Sequence, residues 1–128
     1  MAKKLHLDTH AVVWLFAGEI DRFPHKTRRL LESGILIVSP AIQLELQFLF
    51  EINRIIHNGS EILQTLQKDI GLTVSETEYS KVVSEAVKMS WTRDPFDRLI
   101  TAHASLEHAQ LITKDDHIHK HFKNAVWS

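Results

Sequence analysis

The sequence contains no cysteine, so a disulfide scaffold, a thiolate zinc site and a cysteine nucleophile are excluded. It has only four glycines and three prolines, and no low-complexity stretch or linker long enough to divide the chain. It also lacks an excess of charge: 15 Lys and Arg stand against 16 Asp and Glu, for a formal net charge of −1. That balance excludes a strongly basic, charge-driven nucleic-acid binder and an acidic disordered tail. No apolar run approaches the roughly 20 residues that span a bilayer. The first residues, Met1-Ala2-Lys3-Lys4, reach the charged Asp8 too soon for a secretory signal, so a soluble cytoplasmic protein is expected, with no membrane role. What remains is 128 residues, 44% hydrophobic, enough for one domain over residues 1–128 with a core of its own.

The pattern along the chain alternates short apolar segments with helical ones. Leu5-His6-Leu7 reads as a strand ending at Asp8-Thr9, followed by a helix from His10 to Ala17 that Gly18 stops. A helix over Phe23–Ser33 ends at Gly34. Ile35-Leu36-Ile37-Val38 is apolar throughout, as in a strand buried on both faces. Ser39-Pro40 is an N-cap and first-turn pair, and the helix it opens is predicted to reach His57. Ser60 is predicted to cap a helix from Glu61 to Ile70. Leu72-Thr73-Val74 is a third strand, and Ser75–Ser90 a further helix. Asp94-Pro95 opens a helix to His108, and Gln110–Thr113 is a fourth strand. A short helix over His117–Phe122 and an edge strand at Ala125-Val126-Trp127 complete the pattern. This order predicts an α/β/α sandwich around a central parallel sheet of four to five strands. Ligands of such folds sit beyond the C-terminal ends of the strands.

Acids fall at that edge. Asp8 follows the first strand, and Asp115 and Asp116 follow the fourth after Lys114. Asp97 sits in the first turn of its helix, and Glu45 near the start of the helix after strand two. Each aspartate alone has a structural explanation: Asp8 can cap the first helix, Asp94 with Pro95 caps its helix, and Asp115 or Asp116 can cap the last. Asp97 is close to a capping box. Glu45 is harder to dismiss, because Ala41, Ile42, Phe48 and Leu49 surround it on the helix surface. A carboxylate on such a stripe must be paired with a cation or a donor. Acids gathered together repel, and a hard divalent ion such as Mg²⁺ or Mn²⁺ relieves that repulsion. Such an ion lowers the pKa of a bound water, so no nucleophilic side chain is needed.

The stretches Leu7-Asp8-Thr9-His10, Ser39-Pro40 to Glu45-Leu46, Asp94-Pro95-Phe96-Asp97-Arg98-Leu99-Ile100 and Leu111-Ile112-Thr113-Lys114-Asp115 run through nearly the whole chain. In these the sequence resembles the PIN domains, and within them the VapC-type ribonuclease toxins of bacterial toxin–antitoxin pairs. The resemblance implies a PIN-like, Rossmann-like sandwich and a Mg²⁺- or Mn²⁺-dependent endoribonuclease. It maps the catalytic, metal-binding acids onto Asp8, Glu45, Asp97 and Asp115, with Asp94, Asp116 and Thr113 in support. It implies RNA as substrate, products with 5′-phosphate and 3′-hydroxyl ends, a cognate antitoxin that could place an arginine among the acids, and a homodimer. Arg93, Arg98 and Lys114 are the candidate RNA contacts, and Trp91 either stacks on a base or anchors packing. The apolar residues Phe48, Leu49, Phe50, Ile52, Ile55 and Ile56 suggest a protein-binding surface.

Three other readings compete. An inactive PIN-like module that binds RNA or protein would keep the fold without the chemistry. A phospho-receiver domain also gathers acids around Mg²⁺, but it needs paired acids after strand one, where Asp8 stands alone. His117 and His121, four residues apart on one helical face, could bind zinc, although no third ligand is near.

Overall fold

The structure is a computed structural model that describes residues 2–128. Five strands form one parallel sheet: β1 (Lys4–Leu7), β2 (Ile35–Val38), β3 (Thr73–Val74), β4 (Gln110–Ile112) and β5 (Ala125–Val126), in the order β3-β2-β1-β4-β5. Seven helices surround it: α1 (Thr9–Phe16), α2 (His25–Ser33), α3 (Pro40–Glu51), α4 (Gly59–Ile70), α5 (Tyr79–Val87), α6 (Pro95–Leu106) and α7 (Asp116–His121). The expected α/β/α sandwich is therefore present, with five strands. Receiver domains place their third strand inside the sheet, in the order 2-1-3-4-5. Here β3 is an edge, which removes that alternative.

The strand order reverses between β1 and β4, registered through Leu5↔Gln110, His6↔Leu111 and Leu7↔Ile112. This switch point opens a crevice at the strand ends, and Asp8 and Asp115 leave the sheet on either side of it. Leu5 and Leu7 are fully buried, as are Leu111 and Ile112 beside them. Parallel strands covered on both faces require such apolar runs. His6 is the exception in β1. It points to the face covered by α6 and donates from Nε2 to Glu107 at 2.9 Å.

Several element ends differ from the expectations. The helix predicted to reach His57 stops at Glu51, and Asn53 takes a left-handed conformation with φ 62°. Asparagine tolerates that conformation better than most residues. The apolar run continued past this point and concealed the end. Asn58, rather than Ser60, caps α4 by accepting from Glu61 N at 2.8 Å. The helix expected over Ser75–Ser90 is confined to Tyr79–Val87, because Ser75 and Thr77 are used as side-chain donors to Glu107. The second helix begins at His25, after a 3-10 turn over Ile20–Arg22 that the pattern did not announce.

Geometry requires glycine at both ends of α4. A Cβ at Gly59 would lie 2.6 Å from the Gln43 carbonyl oxygen, so α4 presses on α3 only because that carbon is missing. Gly71 closes α4 with φ 71°, the left-handed C-terminal cap. No helix among the described residues is long and apolar enough to cross a membrane.

Candidate functional site

Local sequence chemistry places the acids one by one. β1 has no further apolar residue after Leu7, but the Asp8 N–H still continues the ladder by donating to the Ile112 carbonyl at 3.0 Å. Asp8 then turns the chain into α1, with its Oδ1 accepting from Thr9 N at 2.8 Å. Asp94 caps α6 through Oδ1, which accepts from Phe96 N at 2.8 Å and Asp97 N at 3.2 Å. Asp115 caps α7 in the same way, accepting from His117 N at 2.8 Å and Ile118 N at 3.1 Å. The structural explanation of these three aspartates is thus correct and incomplete. Each cap engages Oδ1, and the Oδ2 atoms of Asp94 and Asp115 remain free of protein hydrogen bonds among the described residues.

The structure brings these acids together. Asp8, Glu45, Asp94, Asp97 and Asp115 line one cleft of about 410 Å³, with Thr9, His10, Val13, Trp14, Leu49 and Ile55. Two threonines hold the acids in place. The Thr113 hydroxyl, fully buried at the end of β4, donates to Asp8 Oδ2 at 2.6 Å and accepts from Asp115 N at 3.1 Å. One side chain thereby ties the acids from β1 and β4. The Thr9 hydroxyl donates to Glu45 Oε1. Of the two partners the sequence allowed, a cation or a donor, Glu45 therefore finds a neutral donor.

The electrostatics record the crowding. The Asp97 carboxyl is pushed up to about 7, first by burial and then by Asp94, Asp8, Asp115 and Glu45. Glu45 is raised as well, by burial, Asp8 and Asp94 against the opposing Thr9 hydrogen bond. A helix N-terminus normally favours a carboxylate by a few tenths to about 1 kcal/mol. At Asp97 desolvation and like charges outweigh it.

His10 is held by the backbone. The Lys114 N–H donates to its Nε2 at 2.9 Å, so the neutral ring carries its proton on Nδ1, which lies 3.6 Å from Asp8 Oδ2. Thr9 and His10 were visible in the sequence beside Asp8, but nothing local assigned them a role. Trp14 also escaped notice, since a tryptophan on an apolar helix reads as core.

The other expected site residues do not line the cleft. Asp116 is exposed in the first turn of α7 and does not line the cleft. Arg93 donates to the Ser90 carbonyl at 2.8 Å, and Arg98 to the Thr92 carbonyl at 2.8 Å. Both therefore brace the loop before α6. Lys114 is exposed next to the cleft, its Nζ 6.0 Å from the Trp14 ring. Trp91 packs against the core and stacks on His121 with ring centroids 5.1 Å apart, while His117 meets it edge-on. The histidine pair is thus engaged by an indole.

Among the described residues no three His, Asp or Glu side chains are drawn close enough to form a ready cage for an ion. The donor set nevertheless suits a hard divalent cation: it is all oxygen, rich in carboxylates, and destabilised by its own repulsion.

Comparison with known proteins agrees with the fold. No curated protein matches the sequence significantly. Among solved structures, VapBC2 from Rickettsia felis, bound to a DNA fragment from their promoter, has a similar fold. It shows 18% identity and a TM-score of 0.65 over 98% of this chain and 99% of that one. A toxin–antitoxin complex from Klebsiella pneumoniae is similar at 15% identity, with a TM-score of 0.64 over 95% of each chain. The sequence profile of the PIN domain matches residues 5–123, which is nearly the whole length, and the chain belongs to the PIN domain family.

Proposed function

We propose that this protein is a Mg²⁺- or Mn²⁺-dependent endoribonuclease and the toxin of a toxin–antitoxin pair. The observation that carries the proposal is the convergence of five carboxylates from four separate segments on one cleft, with Asp97 raised to about 7. Asp8, Asp97 and Asp115 would hold the cation, and Glu45 would join them directly or through water. Asp94 adds negative charge beside them. When bound, the ion would supply Lewis-acid charge for phosphodiester hydrolysis near neutral pH.

The chain's own groups prepare that chemistry. Thr113 aligns Asp8 and anchors the backbone at Asp115, while Thr9 fixes the direction of Glu45. The caps at Asp94 and Asp115 leave their second oxygens directed to other uses. Val13, Leu49 and Ile55 wall the cleft with apolar surface, which strengthens the charge interactions inside it.

The partner assignment draws on the relatives named above and on one surface of this chain. Leu44, Phe48, Phe50, Ile52 and Ile56 are exposed along α3 and the loop after it, Ile56 at 87%. An apolar patch of this kind suits a protein partner. A cognate antitoxin, and a second copy of the chain in a homodimer, are the proposed occupants.

The test is cleavage of single-stranded RNA with and without Mg²⁺ or Mn²⁺. The wild type should cleave only with the ion. Asp8→Asn and Asp97→Asn should lose cleavage while melting cooperatively. Equal cleavage by wild type and both variants would refute the proposal.

A further inference from the structure

An acidic cleft repels RNA, so the strand needs cations placed beside the carboxylates. The two arginines expected to supply them each give one guanidinium nitrogen to a backbone carbonyl of their own loop, and neither lines the cleft. Positive charge gathers instead around Trp14, which is half-buried and lines the cleft. The Arg22 guanidinium lies 5.0 Å from the Trp14 ring centroid, and the Lys114 ammonium 6.0 Å. Both residues are exposed. Arg22 Nε is bound to Glu19, which orients the guanidinium and leaves its terminal nitrogens available.

The indole is a rigid platform. Trp127 packs against it at 5.8 Å and Phe23 meets it edge-on at 6.1 Å. The His10 ring lies 4.9 Å away, and that ring is fixed by the Lys114 backbone N–H. The carboxylates of the cleft therefore share it with an indole that two cations flank.

We propose that Trp14, Arg22 and Lys114 form the substrate-positioning wall: a nucleobase of single-stranded RNA stacks on the Trp14 indole while Arg22 and Lys114 bind the flanking phosphates. This inference rests on the endoribonuclease reading and adds to it the direction from which the strand enters. An exposed cation–π contact is weaker than base stacking on an indole, so an arriving base displaces Arg22 from the ring toward a phosphate. Stacking tolerates every base and needs an unpaired strand, so duplex RNA is excluded from this wall. Asp8 and Asp115 lie next to this platform through His10 and Lys114, so the backbone beyond the bound phosphates would run over the acids.

The test measures kcat and KM for a single-stranded RNA oligonucleotide across a salt series, with melting curves for each variant. Trp14→Leu should raise KM about tenfold with kcat unchanged, and Trp14→Phe should restore most of the binding. Arg22→Gln and Lys114→Gln should each flatten the slope of log kcat/KM against log salt by about 0.7, the release expected for one phosphate contact on a single strand. Lys68→Gln, on α4, should leave both quantities at wild-type values. If Trp14→Leu fails to fold, the two charge variants still decide, because both side chains are exposed. Wild-type cleavage with unchanged KM and salt slope in the variants would overturn this inference and leave the endoribonuclease reading intact. A wild type that cleaves no RNA with either ion would overturn both.

Discussion

The two ends of α6 carry acids with opposite fates. At the N-terminal end Asp97 receives no hydrogen bond among the described residues and is pushed up to about 7. At the C-terminal end Glu107 is pulled down to about 2: burial alone would raise it, but hydrogen bonds from His6, Ser75 and Thr77 outweigh burial. The helix dipole acts in the contrary sense at both ends, favouring the anion at Asp97 and opposing it at Glu107. Its magnitude, up to about 1 kcal/mol, loses to like-charge crowding at one end. It loses at the other to hydrogen bonds worth about 1.5–3 kcal/mol each to a charged acceptor. Donors, more than burial or position on a helix, thus separate a carboxylate held ionised from one whose pKa is raised.

Exchanging the roles of the two ends gives the largest expected effects. Asp97→Asn should reduce RNA cleavage by about 10²–10³-fold while raising the melting temperature of the ion-free protein, since repulsion is removed. Activity and thermal melting measured on one preparation would check both halves. Glu107→Ala should do the reverse, lowering stability by on the order of 3 kcal/mol in urea denaturation, because three donors lose their acceptor. Activity per folded molecule should persist. A Glu107→Ala protein as stable as wild type would break the comparison.

A smaller effect is expected at Thr113. Thr113→Val removes the hydroxyl that joins Asp8 to the Asp115 backbone, and activity should fall about 10–100-fold, with recovery in Thr113→Ser. The smallest effect concerns pH. His103 is fully buried beside His6, and its pKa is lowered to about 4, chiefly by burial and then by His6. The unfolded chain binds this proton more readily than the folded one. The contribution of His103 to stability is therefore complete above about pH 6.5 and is lost as pH falls toward 4. Glu107, depressed to about 2, keeps its contribution until the pH drops below the usual carboxylate value near 4.5. Urea denaturation between pH 7 and pH 5 should thus show a decline that His103→Leu makes shallower.

Features carried by short stretches were legible in the sequence. The apolar strands, the Asp94-Pro95 cap and the isolation of Glu45 on its helix all depend on neighbours within about one turn. Their positions at the sheet edge followed from the alternation of strands and helices, which left few topologies. Pairings across the chain were not legible. Thr113 meets Asp8 across 105 residues, and His6 meets Glu107 across 101. No local pattern announces a threonine as a tether or a strand histidine as the partner of a helix-end glutamate. The end of α3 was obscured for a different reason. Its apolar residues continue beyond Glu51 because they form an exposed surface, so the usual loss of hydrophobic pattern at a helix end is missing.

A twelve-residue rod such as α6 is about 18 Å long, roughly two screening lengths in physiological salt. Its extremities therefore answer to separate adjustments. The clasp around Glu107 offers an engineer a dial for robustness, and under the proposed function the crowded mouth at Asp97 offers a separate one for turnover.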